Sequence, residues 1–424
     1  MQSNNLINKA SVTRNEKLSA IKSFTFFFLL MSAYFMLRPV RDEMGIQSGV
    51  NSFQWLFTGT FVVTVLVVWF LSVLFRRFSR NKLLPAIYFF FAAIILLFYG
   101  LFSTAAWLAA SFFIWLSVFN LLAISLFWSC NADFFSASQA KKLYGPIASG
   151  GSIGAIVGPV LTTLLVGSIG VRGLLLCAGV LLLAAAIFLH SLIKDNKNKS
   201  FKDSTPKGTR HVLQQLGNNP MMRQVAGFLL IYTCVSTFLY YEQAEIVAAS
   251  ISNSEERTAF FSLRDLIVNG ITLAVQFFMT GRFIEKLGSS AGLMLVPRIA
   301  IVGIVLLGFS QSLYVLLFVQ VAYRSMNFSI QRPVRELVFT TASLENKYLT
   351  KNVIDTVIYR GGDAISSWLI AAANVIMPLK VIAFFTVPLA LVWVRIGQNI
   401  GNLFDKPGKE QSKTINYAYT KESA

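Results

Sequence analysis

The chain has 424 residues, 55% of them hydrophobic and only 13% charged, with 38 phenylalanines. A water-soluble fold of this length cannot hide so much apolar surface, so the composition excludes one and makes lipid the solvent. The formal charge of +18 does not point to nucleic acid, because the basic residues fall in short connections between apolar stretches, with no basic groove or aromatic platform.

The polar segment 1–23 carries Lys9, Arg14, Lys17 and Lys22. The apolar stretch after it runs into Arg38 without a small-residue cleavage site, so it is expected to stay as a first helix rather than leave as a signal peptide. Bilayer-length apolar stretches follow at 24–40, 53–75, 84–103, 106–131, 147–168 and 172–193. A polar stretch from Lys194 to Pro220 interrupts the series, which resumes at 222–250, 258–280, 291–310, 312–334, 356–377 and 380–400. This predicts an all-α membrane protein of about twelve transmembrane helices in two pseudo-symmetric six-helix bundles, 24–193 and 222–400. A linker (194–221) joins the bundles and a polar tail (401–424) ends the chain.

The connections alternate in charge. One set carries Arg76, Arg77, Arg80 and Lys82, then Lys141 and Lys142, the basic linker, Arg282 and Lys286, Lys347 and Lys351, and the tail lysines. The other set is short and poor in lysine. The basic set is expected on the cytoplasmic side, which puts both termini inside and makes the helix count even. A multi-pass protein of a bacterial inner membrane is the expectation, acting as a monomer in the lipid bilayer.

The halves also repeat. Residues 75–82 and 282–288 each follow the second helix of their half, 135–142 and 339–347 the fourth, and paired glycines at 150–151 and 361–362 each open the fifth. Two like bundles can rock about a midplane site, so this repeat is a transporter architecture.

Three motifs carry a family resemblance. Gly281 to Gly288 (GRFIEKLG) resembles the cytoplasmic loop signature of the major facilitator superfamily, with Glu285 in the acid position. Its glycines allow a tight turn, and its charged pair is expected to latch one helix end to a neighbour. Gly145, Gly154 and Gly158-Pro159 resemble the antiporter signature of the same superfamily, with Thr162 and Thr163 where further glycines are usual. Glycine every four residues also lets two helices touch backbone to backbone. Residues 34–45 (YFMLRPVRDEMG), 134–154 and 332–363 together look like the nucleotide (ATP/ADP) translocase-like branch of that superfamily. The resemblance implies the major facilitator fold and transport of a nucleotide-type cargo. The chain is shorter than that branch's nucleotide exchangers, and no nucleotide-contacting residue is carried over.

Ionisable groups within a span are costly and need a partner, water or a ligand. Counting about 1.5 Å per residue sorts them into layers. Arg38, Arg324, Arg360, Asp363 and Glu242 are the candidates for a central cavity, with Tyr34 and Tyr241 as lining aromatics able to stack on a planar cargo. Arg41, Asp42, Glu245, Arg264 and Asp265 form an expected outer gate. Asp133, Arg332, Arg335, Glu336 and Asp355 form an expected inner gate. Gates of breakable ion pairs suit alternating access. The excess of arginine in the central layer favours an organic anion, nucleotide-type, polycarboxylate or metal chelate, because guanidinium stays charged and grips carboxylate or phosphate bidentately. Glu242 and Glu245 are the candidate carriers of a coupling proton.

Cys130, Cys177 and Cys234 lie in apolar segments without partner spacing, and His190 and His211 are the two imidazoles, so no metal site and no cofactor are expected. No P-loop, GxSxG serine or His-rich cluster supports an enzyme. A proton-coupled exporter of amphipathic or drug-like compounds is the rival within transport, and a membrane-embedded lipid-handling protein or enzyme the rival outside it.

Overall fold

In hydrocarbon each backbone N–H and C=O must be bonded within the protein, and a helix does this inside one segment. The computed structural model, which describes residues 14–196, 220–338 and 357–405, is helical almost throughout. In chain order α1 is Arg14–Gln47, α2 Phe53–Arg77, α3 Arg80–Gly100 and α4 Ala106–Phe134. Ala137–Asp195 is continuous by hydrogen bonding but turns at Gly170 (φ 67°), which separates α5 (137–169) from α6 (171–195). Next come α7 (Pro220–Ser250), α8 (Ser254–Phe278) and α9 (Thr280–Phe309). The helix α10 (Leu313–Met326) continues through a π turn, Asn327–Gln331, into Arg332–Val338. The last two are α11 (Tyr359–Ile376) and α12 (Leu379–Asp405).

Ten described helices are long and apolar enough to cross a bilayer. The longest holds both α5 and α6, and α11 stands beside the ten, so the order is consistent with the expected twelve. Asp355, residues 197–219 of the linker and residues 406–424 of the tail lie outside the described residues.

The chain divides into two compact units. Of the described residues the first holds 14–47, 66–196 and 253–266; the second holds 48–65, 220–252, 267–338 and 357–405. The start of α2 groups with the second unit and the start of α8 with the first.

In the first unit α5 lies directly on α1. A Cβ at Gly150 would come within 2.5 Å of the Phe24 carbonyl oxygen, at Gly154 within 2.6 Å of that of Phe28, and at Gly158 within 2.6 Å of that of Ser32. These glycines share one face at four-residue spacing, so their absent side chains are what allow the approach. One turn on, Thr162 donates to the carbonyls of Met36 (3.2 Å) and Gly158 (3.1 Å), filling the place where the antiporter signature has a glycine. Beneath this seam Phe27 stacks on Phe127 at 4.0 Å, and Tyr88 donates to the Ala123 carbonyl at 2.6 Å. At one end Lys22 bridges to Asp195 (2.5 Å) and Ser191 (2.7 Å), tying α1 to α6.

In the second unit Gly401 of α12 packs on α9, where a Cβ would sit 2.1 Å from the Ser290 Cα. Gly288 turns the chain at φ 77° inside α9, as the loop motif predicts. The latch differs from the expectation. Glu285 and Lys286 are exposed, and it is Asp405 of α12 that accepts from the backbone N–H groups of Ser289 (2.9 Å) and Ser290 (3.2 Å). Past Gly288 the helix restarts with unbonded N–H groups, and a carboxylate there satisfies them.

The π turn in α10 has a cause in sequence. Pro333 has no N–H to give to the carbonyl four residues back, and its ring crowds that carbonyl. The helix widens ahead of it. The released oxygen of Ser329 accepts from Thr280 Oγ1 (2.8 Å), and that of Phe328 from Gln276 Nε2 (3.1 Å).

Candidate functional site

Among the described residues a dense cluster of charge lies in the first unit, between the end of α1 and the start of α8. Asp42 and Glu43 are each 1% exposed, and Arg264 and Asp265 are fully buried. Arg264 Nη2 donates to Asp42 (2.8 Å) and to Asp265 (2.7 Å), while its Nε donates to Asp265 (3.0 Å). Arg41 donates to Asp42 through Nη2 (2.6 Å) and Nε (3.1 Å), and its guanidinium lies 5.3 Å from the Phe113 ring centre. Arg257 holds Glu43 bidentately at 2.6 and 2.7 Å. Arg38 Nε comes within 3.3 Å of Asp265 Oδ2. Four guanidinium groups and three carboxylates thus share one patch, in which Arg38, Arg264 and the carboxylates are buried and Arg41 and Arg257 half-buried. Ions so placed are tolerated only when each is answered by an opposite charge and by hydrogen bonds.

The structure adds neighbours that the layers read off the sequence did not specify. Arg38, assigned by depth to the central layer, joins Asp265 in this α1–α8 network. A long side chain reaches beyond the level of its own Cα, which a count of residues ignores. Glu245, grouped with the outer charges, belongs to the second unit, where Lys380 is the cation acting on it. Arg257 and Glu43 were assigned no role. The signal was present: Arg257 and Arg264 are seven apart, two turns along one face of α8, opposite the adjacent acids Asp42 and Glu43.

The second unit holds the other candidates. Arg324 is half-buried on α10 and donates from Nε to Gln320 Oε1 (2.9 Å), whose amide in turn donates to the Leu239 carbonyl of α7 (3.1 Å). Arg360, half-buried at the start of α11, lies 5.8 Å from the Tyr359 ring centre and 3.9 Å from Asp363. Asp363 accepts from Thr237 Oγ1 at 3.4 Å. Tyr232 connects these helices, its ring 6.4 Å from Tyr323, 5.9 Å from Tyr359 and 5.7 Å from Trp393, and its hydroxyl accepts from Asn327 (3.2 Å). Glu242 is 2% exposed, and its Oε2 has no hydrogen-bond donor among the described residues. Glu245 and Lys380 are the charges that act on it.

Tyr34 and Tyr241 are both buried; Tyr241 donates to the Ser367 carbonyl at 3.3 Å and packs edge-on to Phe53. Of the inner-gate candidates, Asp133 pairs with Arg80 of α3 at 3.1 Å in the first unit. Arg332 is exposed, and Arg335 and Glu336 are half-buried, all just past the π turn in the second unit. Among the described residues no group of three or more His, Cys, Asp or Glu side chains could hold a metal ion.

The model of one protein family, Major Facilitator Superfamily, matches residues 20–334. The chain belongs to the major facilitator superfamily. It is therefore a multi-pass membrane transporter for a small molecule rather than an enzyme. Solved structures of other facilitators share the fold. A mutant form of the nucleoside transporter NupG aligns with a TM-score of 0.65 at 13% identity, over 90% of this chain and 99% of that one. A bacterial homologue of the human lysosomal transporter Spinster, inward-facing and unoccupied, gives 0.62 at 12%, over 92% and 98%. NupG in its other structure gives 0.55 at 14%, over 93% and 100%. At such identities the likeness is one of fold. No curated protein matches the sequence.

Proposed function

We propose that this facilitator is a secondary active transporter of a small organic anion, working by alternating access in a bacterial inner membrane. The observation that carries the reading is the half-buried state of Arg324 and Arg360 in the second unit. Arg264, by contrast, is sealed between two acids. A guanidinium that keeps some exposure inside a helical bundle can meet an anion arriving from water. The resemblance of residues 34–45, 134–154 and 332–363 to the nucleotide translocase-like branch supports a nucleotide-type cargo, with polycarboxylates and metal chelates as the other anions of suitable charge. In this reading the α1–α8 ion pairs act as an outer gate, with Arg38 and Arg257 added to Arg41, Asp42, Arg264 and Asp265. Glu242 is the coupling-proton carrier. Burying a carboxylate without a donor is costly, whereas a protonated carboxyl is neutral.

Purified protein in proteoliposomes, offered labelled nucleotides, di- and tricarboxylates and ferric chelates with and without a pH gradient, tests this. Saturable uptake of an anion, cut at least tenfold by Arg324→Gln and by Arg360→Gln, is expected. Uptake of neutral or cationic compounds only, or anion uptake indifferent to both substitutions, refutes the anion reading. Glu242→Gln should abolish the response to a pH gradient while sparing exchange; an unchanged response removes Glu242 from coupling.

A further inference from the structure

A groove in the second unit has no part in this reading. Its volume is about 440 Å³, and every residue lining it is apolar, among them Phe61 of α2, Gly227 and Leu230 of α7, and Ile358, Gly361 and Ile365 at α11. The hollow exists because side chains are missing. A Cβ at Gly227 would meet nothing within 4 Å, and one at Gly361 would meet only the Phe61 ring, at 3.7 Å. One end is closed. Trp368 of α11 donates to Thr58 of α2 at 3.0 Å and sits edge-on to Trp55 with ring centres 4.8 Å apart. Leu230 and Ile365, on the rim, are 42% and 59% exposed, so the groove opens sideways to whatever surrounds the helices. At that depth the surroundings are hydrocarbon.

The other end carries a charge. Arg223 is the fourth residue of α7, one turn before Gly227 on the same face. It is exposed and makes no ion pair with a described residue. The groove runs inward from it by roughly 10 Å, to Leu230. A cation at the membrane interface leading into an apolar slot has the shape of a phospholipid, with the headgroup outside and a chain inside.

We propose that this groove binds one acyl chain of an anionic phospholipid whose phosphate pairs with Arg223. The chain fills the volume that Gly227 and Gly361 leave open, and its end stops at Trp368. A charged cargo does not use this slot, because nothing in its wall can answer a charge. The site is independent of cargo identity, so failure of the anion reading leaves it standing.

The test uses the full-length protein in nanodiscs containing a phosphatidylglycerol with a diazirine on the middle of one acyl chain, followed by peptide mapping. Label concentrated on peptides covering 223–230 and 357–368 is expected, well above that on the exposed face of α3 around Phe90 and Leu97. Gly227→Leu, whose new side chain enters open space, should cut labelling there at least fivefold. Arg223→Gln, a surface change that leaves the groove intact, should remove the preference for phosphatidylglycerol over the same probe with a choline headgroup. Label spread evenly over lipid-facing residues, or equal labelling by the two headgroups in the parent protein, overturns the proposal.

Discussion

Replacing Arg264 with glutamine tests the α1–α8 network most directly. The parent side chain is fully buried and makes three hydrogen bonds at 2.7–3.0 Å to two carboxylates that are themselves buried. Glutamine keeps one donor group and no charge, so Asp42 and Asp265 lose the cation they share, while Arg41 stays on Asp42 and Arg38 stays 3.3 Å from Asp265. Removing one partner of a buried pair costs about 3–5 kcal/mol when the other charge is left unpaired, and these remaining cations put the cost at the low end of that range. If the network holds the start of α8 against α1, that energy becomes a shift of roughly 10²-fold toward the parted state. Residues 254–266 of α8 group with the first unit, so parting frees this stretch from α1. The assay is labelling of a single cysteine at Gln47, the last residue of α1, by a membrane-impermeant maleimide, with Cys130, Cys177 and Cys234 replaced by alanine. A rise in labelling rate of at least tenfold is expected, and Arg264→Lys should recover little, since a point ammonium cannot span two carboxylates. An unchanged rate together with an unchanged melting temperature would show that the network holds nothing shut.

Other substitutions probe the seams. Gly154→Leu should abolish folded, monodisperse protein in detergent, because its first added carbon already falls 2.6 Å from the Phe28 carbonyl oxygen; normal yield and elution would show that α1 and α5 can part cheaply. Asp405→Ala should lower the melting temperature by an amount equivalent to about 0.5–2 kcal/mol, and Asp405→Asn should restore most of it, since a side-chain oxygen suffices to cap α9 past Gly288. Thr280→Val leaves the Ser329 carbonyl without its donor and should cost about 1–3 kcal/mol, while Thr280→Ser is neutral; equal stability of the two would show that water replaces the hydroxyl.

The helices were legible because twenty apolar residues in a row have few other fates. The glycines of α5 were legible as a close contact, though not which helix they meet; partner choice depends on topology that no local spacing encodes. The outer charges were half readable. Asp42, Arg264 and Asp265 come together, Arg38 adds its guanidinium 3.3 Å from Asp265, and Glu245 groups with the second unit. Depth fixes one coordinate of a side chain, and rotation about the helix and the reach of a guanidinium fix the others. Asp405 was invisible because a cap supplied across more than a hundred residues leaves no pattern near either end.

Pro333 leaves α10 incomplete on its own. Two of its carbonyls are served by Gln276 and Thr280, at the junction of α8 and α9, so the three helices are chemically one component. A chimera that imports α10 from another facilitator without those two donors inherits bare oxygens in oil. One that imports the junction without the proline strands two donors instead. Successful exchange of parts along this chain therefore has to cut outside 276–338, with the whole span travelling as a single cassette.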